Sequence, residues 1–144
     1  MNVDKYLGKD FNYGETDCYS LVKEFYEDKY GIKLTNYARP DYWWNSGKNF
    51  YMDLFKQEGF YLLDDTDSLI EGDIILVALG SNVACHACIY IGDNKVLHHP
   101  VNKKSKIDVY KGLWKNYTMG IIRHRSRANV KEEKIKYDFK PKYI

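Results

Sequence analysis

The chain has 144 residues, the length of a single domain built around one core. Its 22 Lys and Arg residues nearly balance its 20 Asp and Glu residues, so we expect no dedicated binding to nucleic acid or to membrane surfaces. No apolar stretch approaches the ~20 residues that cross a bilayer, and the N-terminus lacks the apolar core of a signal peptide, so we expect a soluble protein made without export.

The first predicted helix begins at Cys18. The residues before it are rich in Gly, Asp, Asn and aromatic residues, which indicates an irregular approach segment. The apolar residues that then recur at helical spacing are Leu21, Val22, Phe25 and Tyr26. Thr16 or Asp17 can cap the start of this helix, and Gly31 lies where a helix commonly ends. The pattern therefore places Cys18 in the first helical turn.

A turn and a second helix are predicted next. The turn covers residues 39–44, which include an Arg-Pro-Asp sequence. The second helical pattern runs from about residue 48 to residue 58, and Gly59 ends it.

Strands are predicted in the second half of the chain. The apolar run at 74–79 is short, rich in branched residues and bounded by glycines, which is typical of a buried strand. Segments 86–91 and 95–99 predict a hairpin with its turn at 92–94. A later strand is predicted at 120–124.

The order of these elements favours an α+β fold. Helical patterns come first, and none of them separates the middle strands, so we expect N-terminal helices packed on a mainly antiparallel sheet. We predict one domain over residues 1–124. The charged and weakly periodic segment 125–144 is predicted to lie outside the core, either as a disordered terminus or as an arm that docks on a partner.

The chain contains three cysteines, Cys18, Cys85 and Cys88, and an odd number cannot form a complete set of disulfides. A thiol attacks as the thiolate, and an unperturbed cysteine with a pKa of ~8.5 is mostly protonated at neutral pH. A helix N-terminus and a neighbouring imidazole both favour the thiolate. Cys18 has the first of these by position and is a candidate nucleophile; the alternative is a small buried core residue.

Two histidines lie on the predicted hairpin. His86 opens its first strand and His98 lies near the end of its second, so a turn at 92–94 would bring the two rings together. In such a pair one imidazole can act as the base while the other holds its ring in the correct tautomer. We expect His99 to point the other way and to be structural, and His124 to lie on the surface.

The C-x-x-C pair Cys85 and Cys88, together with the nearby histidines, raises the possibility of a zinc site. These cysteines lie on a strand-like segment, where they would point to opposite faces, and no second ligand pair with suitable spacing is present. A redox C-x-x-C normally opens a helix, whereas this one precedes a strand. We therefore predict no metal and no other cofactor.

Four features then occur together: Asp17-Cys18 opening a helix, Gly72-Asp73 opening an apolar strand, His86 opening the pattern HACIYIGDNKVLHH, and His98 twelve residues later. In combination they resemble the NlpC family of papain-like cell-wall endopeptidases, over about residues 7–124. The resemblance implies the papain-like NlpC fold and hydrolysis of amide bonds in the peptide stem of peptidoglycan. It also implies Cys18 as nucleophile, His86 as general base and acid, and His98 as the polar residue that orients His86.

The segment around the candidate nucleophile departs from the family pattern. The family often has an aromatic hydroxyl before the cysteine, but Phe11 stands at that spacing and has no donor, while Tyr13 lies two residues further on. This leaves the backbone N–H of Cys18 as the expected oxyanion donor. Tyr19 replaces a smaller family residue, which suggests a bulkier rim. From the resemblance we expect Phe11, Tyr13, Asp17 and Tyr19 to contact substrate.

Three segments, 39–44, 97–99 and 112–117, resemble more narrowly the NlpC-like part of tail-tip assembly proteins of lambda-like phages. That resemblance implies a virion tail component, made in the host cytoplasm and acting at the host cell wall. Its implied partners are peptidoglycan peptide stems and other phage tail-tip proteins. Two alternatives stay open: a structural tail-assembly or wall-binding component with little activity, and an acyltransferase or amidase on the same scaffold.

Overall fold

The computed structural model describes residues 2–37, 57–64, 68–79 and 84–128. The predicted turn over 39–44, nearly all of the predicted second helix and the tail beyond residue 128 lie outside these ranges. Within the described ranges, no helix is both long enough and apolar enough to cross a membrane.

The first predicted helix, α1 (Cys18–Tyr30), is confirmed. Its N-cap is Asp17, whose backbone is extended and whose carboxylate accepts a hydrogen bond from the Ser20 N–H at 2.9 Å. Gly31 ends the helix with a φ of 66°, in the left-handed region that glycine adopts without the steric cost of a Cβ. Of the two predicted caps, Asp17 rather than Thr16 therefore fixes where the helix begins.

A six-stranded antiparallel sheet forms most of the remaining regular structure. Its strands are β1 (Phe60–Leu62), β2 (Ile74–Val77), β3 (His86–Gly92), β4 (Lys95–His98), β5 (Lys106–Val109) and β6 (Thr118–His124). Their spatial order is β1-β6-β2-β3-β4-β5, and each neighbouring pair is antiparallel. A short helix, α2 (Leu113–Asn116), precedes β6, and single 3-10 turns lie at Asp4–Tyr6 and Arg125–Arg127. The predicted α+β class is confirmed.

Two strand ends differ from the predictions. β2 stops at Val77, before the predicted end at residue 79, because the Ala78 N–H leaves the sheet and donates to the Tyr117 carbonyl at 3.0 Å. β6 begins at Thr118, earlier than the predicted start at residue 120, because Thr118 still pairs with Val77. The edge strands β1 and β5 were not predicted.

The β3–β4 hairpin forms where the sequence predicts it. Asp93 and Asn94 have φ values of 51° and 58°. Positive φ at both positions is typical of the two-residue turn whose twist matches that of antiparallel strands. Gly92 therefore still belongs to β3, and β4 ends at His98 rather than at residue 99. Cys88 lies directly opposite His98 in this register.

The central strands β2, β3 and β4 are buried on both faces over most of their length. Helix α1 packs against β3 on one face. The core on that side includes Phe25, Tyr26, Ile74, Ile89 and Leu97. Residues that alternate with these along the strands form a second cluster on the other face: Ile75, Val77, Cys88, Val96 and Tyr110. Because β2 is covered on both sides, its sequence is a continuous apolar run.

A buried ion pair joins the start of β2 to β6. Arg123 donates from Nε and Nη2 to the two carboxylate oxygens of Asp73, each at 2.8 Å, and both side chains are almost fully buried. Nη2 also donates to the carbonyl of Ser68 at 2.8 Å. Removing one partner of a buried pair leaves an unpaired charge and costs ~3–5 kcal/mol of folding free energy. The Asp73 of the Gly72-Asp73 pattern is therefore structural.

Candidate active site

Cys18 is the first residue of α1, the position at which unpaired backbone N–H groups favour a thiolate. It is 8% exposed, and its helix packs against β3, the strand that carries His86 and Cys88. Burial raises the pKa of the Cys88 thiol well above its usual value, and the neighbouring Cys18 adds to that shift. Cys18 at the start of α1 therefore lies near Cys88 on β3.

Asp17 fixes the backbone around Cys18. Its carboxylate accepts hydrogen bonds from the Gly14 N–H at 2.8 Å, the Ser20 N–H at 2.9 Å and the Ser20 hydroxyl at 2.8 Å. The residue is only 3% exposed. These bonds hold the approach segment against the first turn of the helix, and a contact of Asp17 with substrate stays a prediction.

His86 and His98 lie together on the hairpin and are joined to a third residue, Asp108. His86 Nε2 is 2.8 Å from His98 Nδ1, and His98 Nε2 is 2.7 Å from Asp108 Oδ2. His86 is 4% exposed and His98 is fully buried. Asp108 enters from the edge strand β5, where Lys106 Nζ lies 3.3 Å from the same carboxylate oxygen. The result is a linear chain of three side chains on one face of the sheet.

These hydrogen bonds determine which nitrogen of each imidazole carries the proton. An ionised Asp108 only accepts, so His98 Nε2 carries its proton and donates to it. His98 Nδ1 then has the lone pair that accepts from His86 Nε2–H. The remaining ring nitrogen of His86, Nδ1, is left with a lone pair. His86 is therefore held in the tautomer that can accept a proton at Nδ1.

The pKa values agree with this assignment. Burial lowers the pKa of His86 well below its usual value, and the His98 and His99 rings lower it further, so His86 is neutral at neutral pH. Burial also lowers the pKa of His98, although Asp108 acts in the opposite direction. For Asp108, burial alone would raise the pKa, but the hydrogen bond from His98 and the charge of Lys106 more than offset this. Asp108 is therefore ionised and His86 can act as a base.

Trp114, from the short helix α2, covers the histidine pair. Its ring centroid lies 4.7 Å from that of His98 in an edge-to-face arrangement, and 5.3 Å from that of His86. An aromatic side chain in this position excludes water and limits the rotation of both imidazoles. The sequence predicted neither Trp114 nor Asp108 as a site residue, although Trp114 lies in one of the segments that carry the phage resemblance. The alternation of polar and apolar residues over Lys106–Val109 was the one signal that could have indicated an edge strand.

Phe11 and Tyr13 lie together beside His99. The Phe11 ring is edge-on to Tyr13 with centroids 4.8 Å apart, and edge-on to His99 with centroids 5.3 Å apart. His99 is 2% exposed and also lines a polar cavity beside α1, so its structural role stays a prediction. Substrate contacts by Phe11 and Tyr13 stay predictions.

Two residues lie deeper than expected. Tyr19 is fully buried and its hydroxyl donates to the Thr35 carbonyl, so its side chain does not form the bulky rim expected beside the nucleophile. His124 is half-buried rather than on the surface. Its ring packs edge-on against Phe60 with centroids 5.1 Å apart, and its Nδ1 accepts from the Ser126 N–H at 3.1 Å.

Cys85 and Cys88 have different environments. Cys85 precedes β3, and its sulfur accepts a hydrogen bond from the Leu79 N–H at 3.3 Å. Cys88 lies within β3 with its sulfur 3.5 Å from His98 Nδ1. Burial raises the pKa of both thiols. The C-x-x-C pair therefore does not act as one unit.

We expect Cys18 to react with iodoacetamide near neutral pH faster than Cys85 or Cys88. Cys18 and Cys85 are equally exposed, at 8%, so the difference would reflect thiolate character rather than access. Site-resolved mass spectrometry over a time course measures the three rates, and labelling in denaturant provides the control in which they should converge. Earlier labelling of Cys85 or Cys88 in the folded protein would contradict an activated Cys18.

Comparisons with known proteins agree with this fold. A model of the NlpC/P60 family matches residues 8–123. The chain is 37% identical to tail tip assembly protein K of Escherichia phage lambda, over 86% of this chain and 61% of that protein. It is 34% identical to tail tip assembly protein K of Escherichia phage N15, over 83% of this chain and 49% of that protein. The chain thus spans less than two thirds of either relative.

A solved structure supports the same architecture. The crystal structure of a protein similar to lipoprotein, of the NLP/P60 family, from Staphylococcus aureus matches with a TM-score of 0.57. The match has 22% identity and covers 83% of this chain and 37% of that chain. At this identity the similarity supports the fold alone.

Proposed function

The chain belongs to the NlpC/P60 family, and from this premise we propose that it is a papain-like cysteine peptidase acting on the peptide stems of bacterial peptidoglycan. The observation that carries the proposal is the hydrogen-bonded chain from His86 through His98 to Asp108, on the sheet that packs against the helix opened by Cys18. A nucleophile, a base and groups that orient the base are the parts that acyl transfer needs.

In the proposed mechanism, His86 Nδ1 takes the thiol proton of Cys18, and the thiolate attacks the carbonyl carbon of the scissile amide. The oxyanion that forms accepts a hydrogen bond from the backbone N–H of Cys18 at the start of α1. The C–N bond breaks as His86 returns its proton to the leaving amine, which leaves a thioester on Cys18. Water then attacks with His86 again as the base, and the free acid and thiol are released.

A polar cavity lies beside helix α1, but Cys18, His86 and His98 are not among the residues that line it. The cavity has a volume of about 340 Å³ and lies beside the first two turns of α1. Its lining includes Lys9, Asp17, Ser20, Glu24 and His99. The cavity therefore adjoins Asp17 and His99 but not the nucleophile or the base, and it is not assigned to the substrate.

The relatives support a place for the protein in a virion. Both are named tail tip assembly proteins. We propose a tail component that is made in the host cytoplasm, contacts other phage tail-tip proteins and acts at the host cell wall. The same names favour a second candidate function, a structural assembly component with the family fold and little activity.

Digestion of defined muropeptides separates these possibilities. The purified protein is incubated with muropeptides of known stem sequence, and the products are read by mass. Hydrolysis gives two fragments whose summed mass exceeds that of the substrate by one water, and the fragment masses identify the bond. Fragments joined to an added amine would instead indicate acyl transfer. Intact muropeptides together with normal incorporation into tails would favour the structural candidate.

The segment 125–144 is proposed as a docking arm outside the catalytic domain, and its first residues contact that domain. The Arg127 guanidinium lies 4.1 Å from the Tyr30 ring centroid, and the Arg125 N–H donates to the Gly59 carbonyl at 3.0 Å. Deleting residues 129–144 is expected to leave cleavage and thermal stability unchanged and to abolish incorporation into tails. Deleting 125–144 is the control. It also removes the contacts of Arg125 and Arg127, and should lower the free energy of unfolding by about 1 kcal/mol. Loss of cleavage in the shorter deletion would contradict the proposed boundary.

A further inference from the structure

Cys88 is a buried thiol that the proposed mechanism does not use. It follows His86 by two residues on β3, so the two side chains leave the same face of the sheet, and the register places Cys88 opposite His98. Cys88 Sγ is 3.5 Å from His98 Nδ1, which is in turn 2.8 Å from His86 Nε2. All three side chains are buried, and the three atoms lie within 4.8 Å of one another.

These atoms have the chemistry and spacing of a metal site. Tetrahedral zinc, with Zn–N distances of ~2.0–2.1 Å and Zn–S distances of ~2.3 Å, brings neighbouring ligand atoms to about 3.3–3.6 Å. The observed 3.5 Å separation between Cys88 Sγ and His98 Nδ1 already fits. A displacement of the His86 imidazole must widen the 2.8 Å separation from His98 and bring His86 Nε2, which is within 4.8 Å of Cys88 Sγ, to the same spacing. We propose that His86 Nε2, Cys88 Sγ and His98 Nδ1 bind a divalent ion of the zinc type, with water at a fourth position.

The surroundings of the three ligands support this site. His98 donates its other ring N–H to Asp108 at 2.7 Å, and an outer carboxylate of this kind commonly orients a metal-binding histidine. The site differs from the C-x-x-C zinc site considered from the sequence, because Cys85 is not part of it. It therefore departs from the sequence-based expectation that the protein holds no metal.

Metal binding would move two protons. The Cys88 thiol releases its proton to solvent as the sulfur binds the ion, and His98 Nδ1 binds through the lone pair that had accepted the hydrogen bond from His86. His86 must shift its proton from Nε2 to Nδ1 to free the binding nitrogen. A proton on Nδ1 prevents His86 from accepting the proton of Cys18, so the bound ion would block the base. This inhibition rests on the proposed peptidase function, whereas the binding does not.

Competition between the protein and a chromophoric chelator measures the binding directly, with Zn²⁺ as the probe. The samples are equilibrated for hours because buried ligands require local opening. We expect one tight site in the wild-type protein, and the same site in Cys18→Ala and in the matched control Cys85→Ala. Cys88→Ala should weaken binding on the order of 100-fold, because one of three protein ligands is lost. Asp108→Asn should weaken it about 10- to 100-fold.

Cobalt binding is a second measurement, because its absorption spectrum reports directly whether a thiolate binds the ion. Co²⁺ bound to thiolate gives a charge-transfer absorption, expected in the wild-type and Cys18→Ala proteins and absent from both Cys88→Ala and Cys88→Ser. Circular dichroism confirms that each variant is folded. Unchanged zinc affinity in folded Cys88 variants would overturn the proposal. Loss of binding in Cys18→Ala would also overturn it, by placing the ion on the nucleophile instead.

Inhibition is measured separately. If the wild-type protein cleaves muropeptides, one equivalent of Zn²⁺ should inhibit it, and Cys88→Ala should need on the order of 100-fold more zinc relative to its own zinc-free rate. If the wild-type protein does not cleave muropeptides, the peptidase proposal fails while the chelator and cobalt results still decide the metal site.

Discussion

Replacing Cys18 by Ala is expected to abolish muropeptide cleavage and to leave the protein folded. No other group in the proposed mechanism can form the thioester, and loss of a nucleophile lowers kcat on the order of 10⁶-fold. The cost in stability is small, about 1 kcal/mol, because only one sulfur atom is lost and the Asp17 cap of α1 is retained. Product masses over a long time course measure the rate, and thermal unfolding measures the fold.

Cys85→Ala is the matched control for this experiment. Cys85 has the same exposure as Cys18, 8%, but it lies ahead of β3 and its sulfur accepts from the Leu79 N–H. We expect the Cys85→Ala protein to cleave muropeptides at close to the wild-type rate. Cleavage by folded Cys18→Ala would show that a different residue is the nucleophile. Inactivity of both variants would mean that the loss comes from altered packing rather than from chemistry.

The parts of the structure that could be predicted are set by residues close together in the chain. The spacing of apolar residues, the Asp17 cap and Gly31 all lie within or beside α1, so the helix and the position of Cys18 were predictable. The hairpin was predictable because its turn residues lie between its own strands. Since His86 and His98 are both on that hairpin, their proximity depends on the same local signals.

The parts that were missed depend on pairing with distant segments. β1 and β5 are edge strands of 3 and 4 residues, and each forms by pairing with one neighbour, β6 or β4. Asp108 reaches His98 only because β5 lies beside β4. The burial of Tyr19 likewise depends on its hydrogen bond to Thr35, beyond the end of α1. Periodicity in a single segment carries no information about such contacts.

The pairing of β5 with β4 brings Asp108 to His98, and the contribution of Asp108 to catalysis can be tested. We expect Asp108→Asn to lower kcat about 10- to 100-fold with little change in KM, and His98→Ala to lower it about 10³-fold. Losing a carboxylate in direct contact with a catalytic imidazole costs ~10⁴-fold in kcat. Asp108 acts through His98 and its side chain is 30% exposed, so its effect should be smaller. An Asn amide can donate to His98 Nε2, which would reverse both tautomers and place a proton on His86 Nδ1.

The double variant decides whether Asp108 works through His98. If it does, His98→Ala combined with Asp108→Asn should be no slower than His98→Ala alone, because the carboxylate has lost the ring that it orients. Asp28→Asn is the matched control: its side chain is 34% exposed and accepts hydrogen bonds from Lys5 and Tyr6, near the other end of α1. Its kcat should equal that of the wild type. Multiplied losses in the double variant, or full activity of Asp108→Asn, would show that Asp108 does not set the tautomer of the histidine pair.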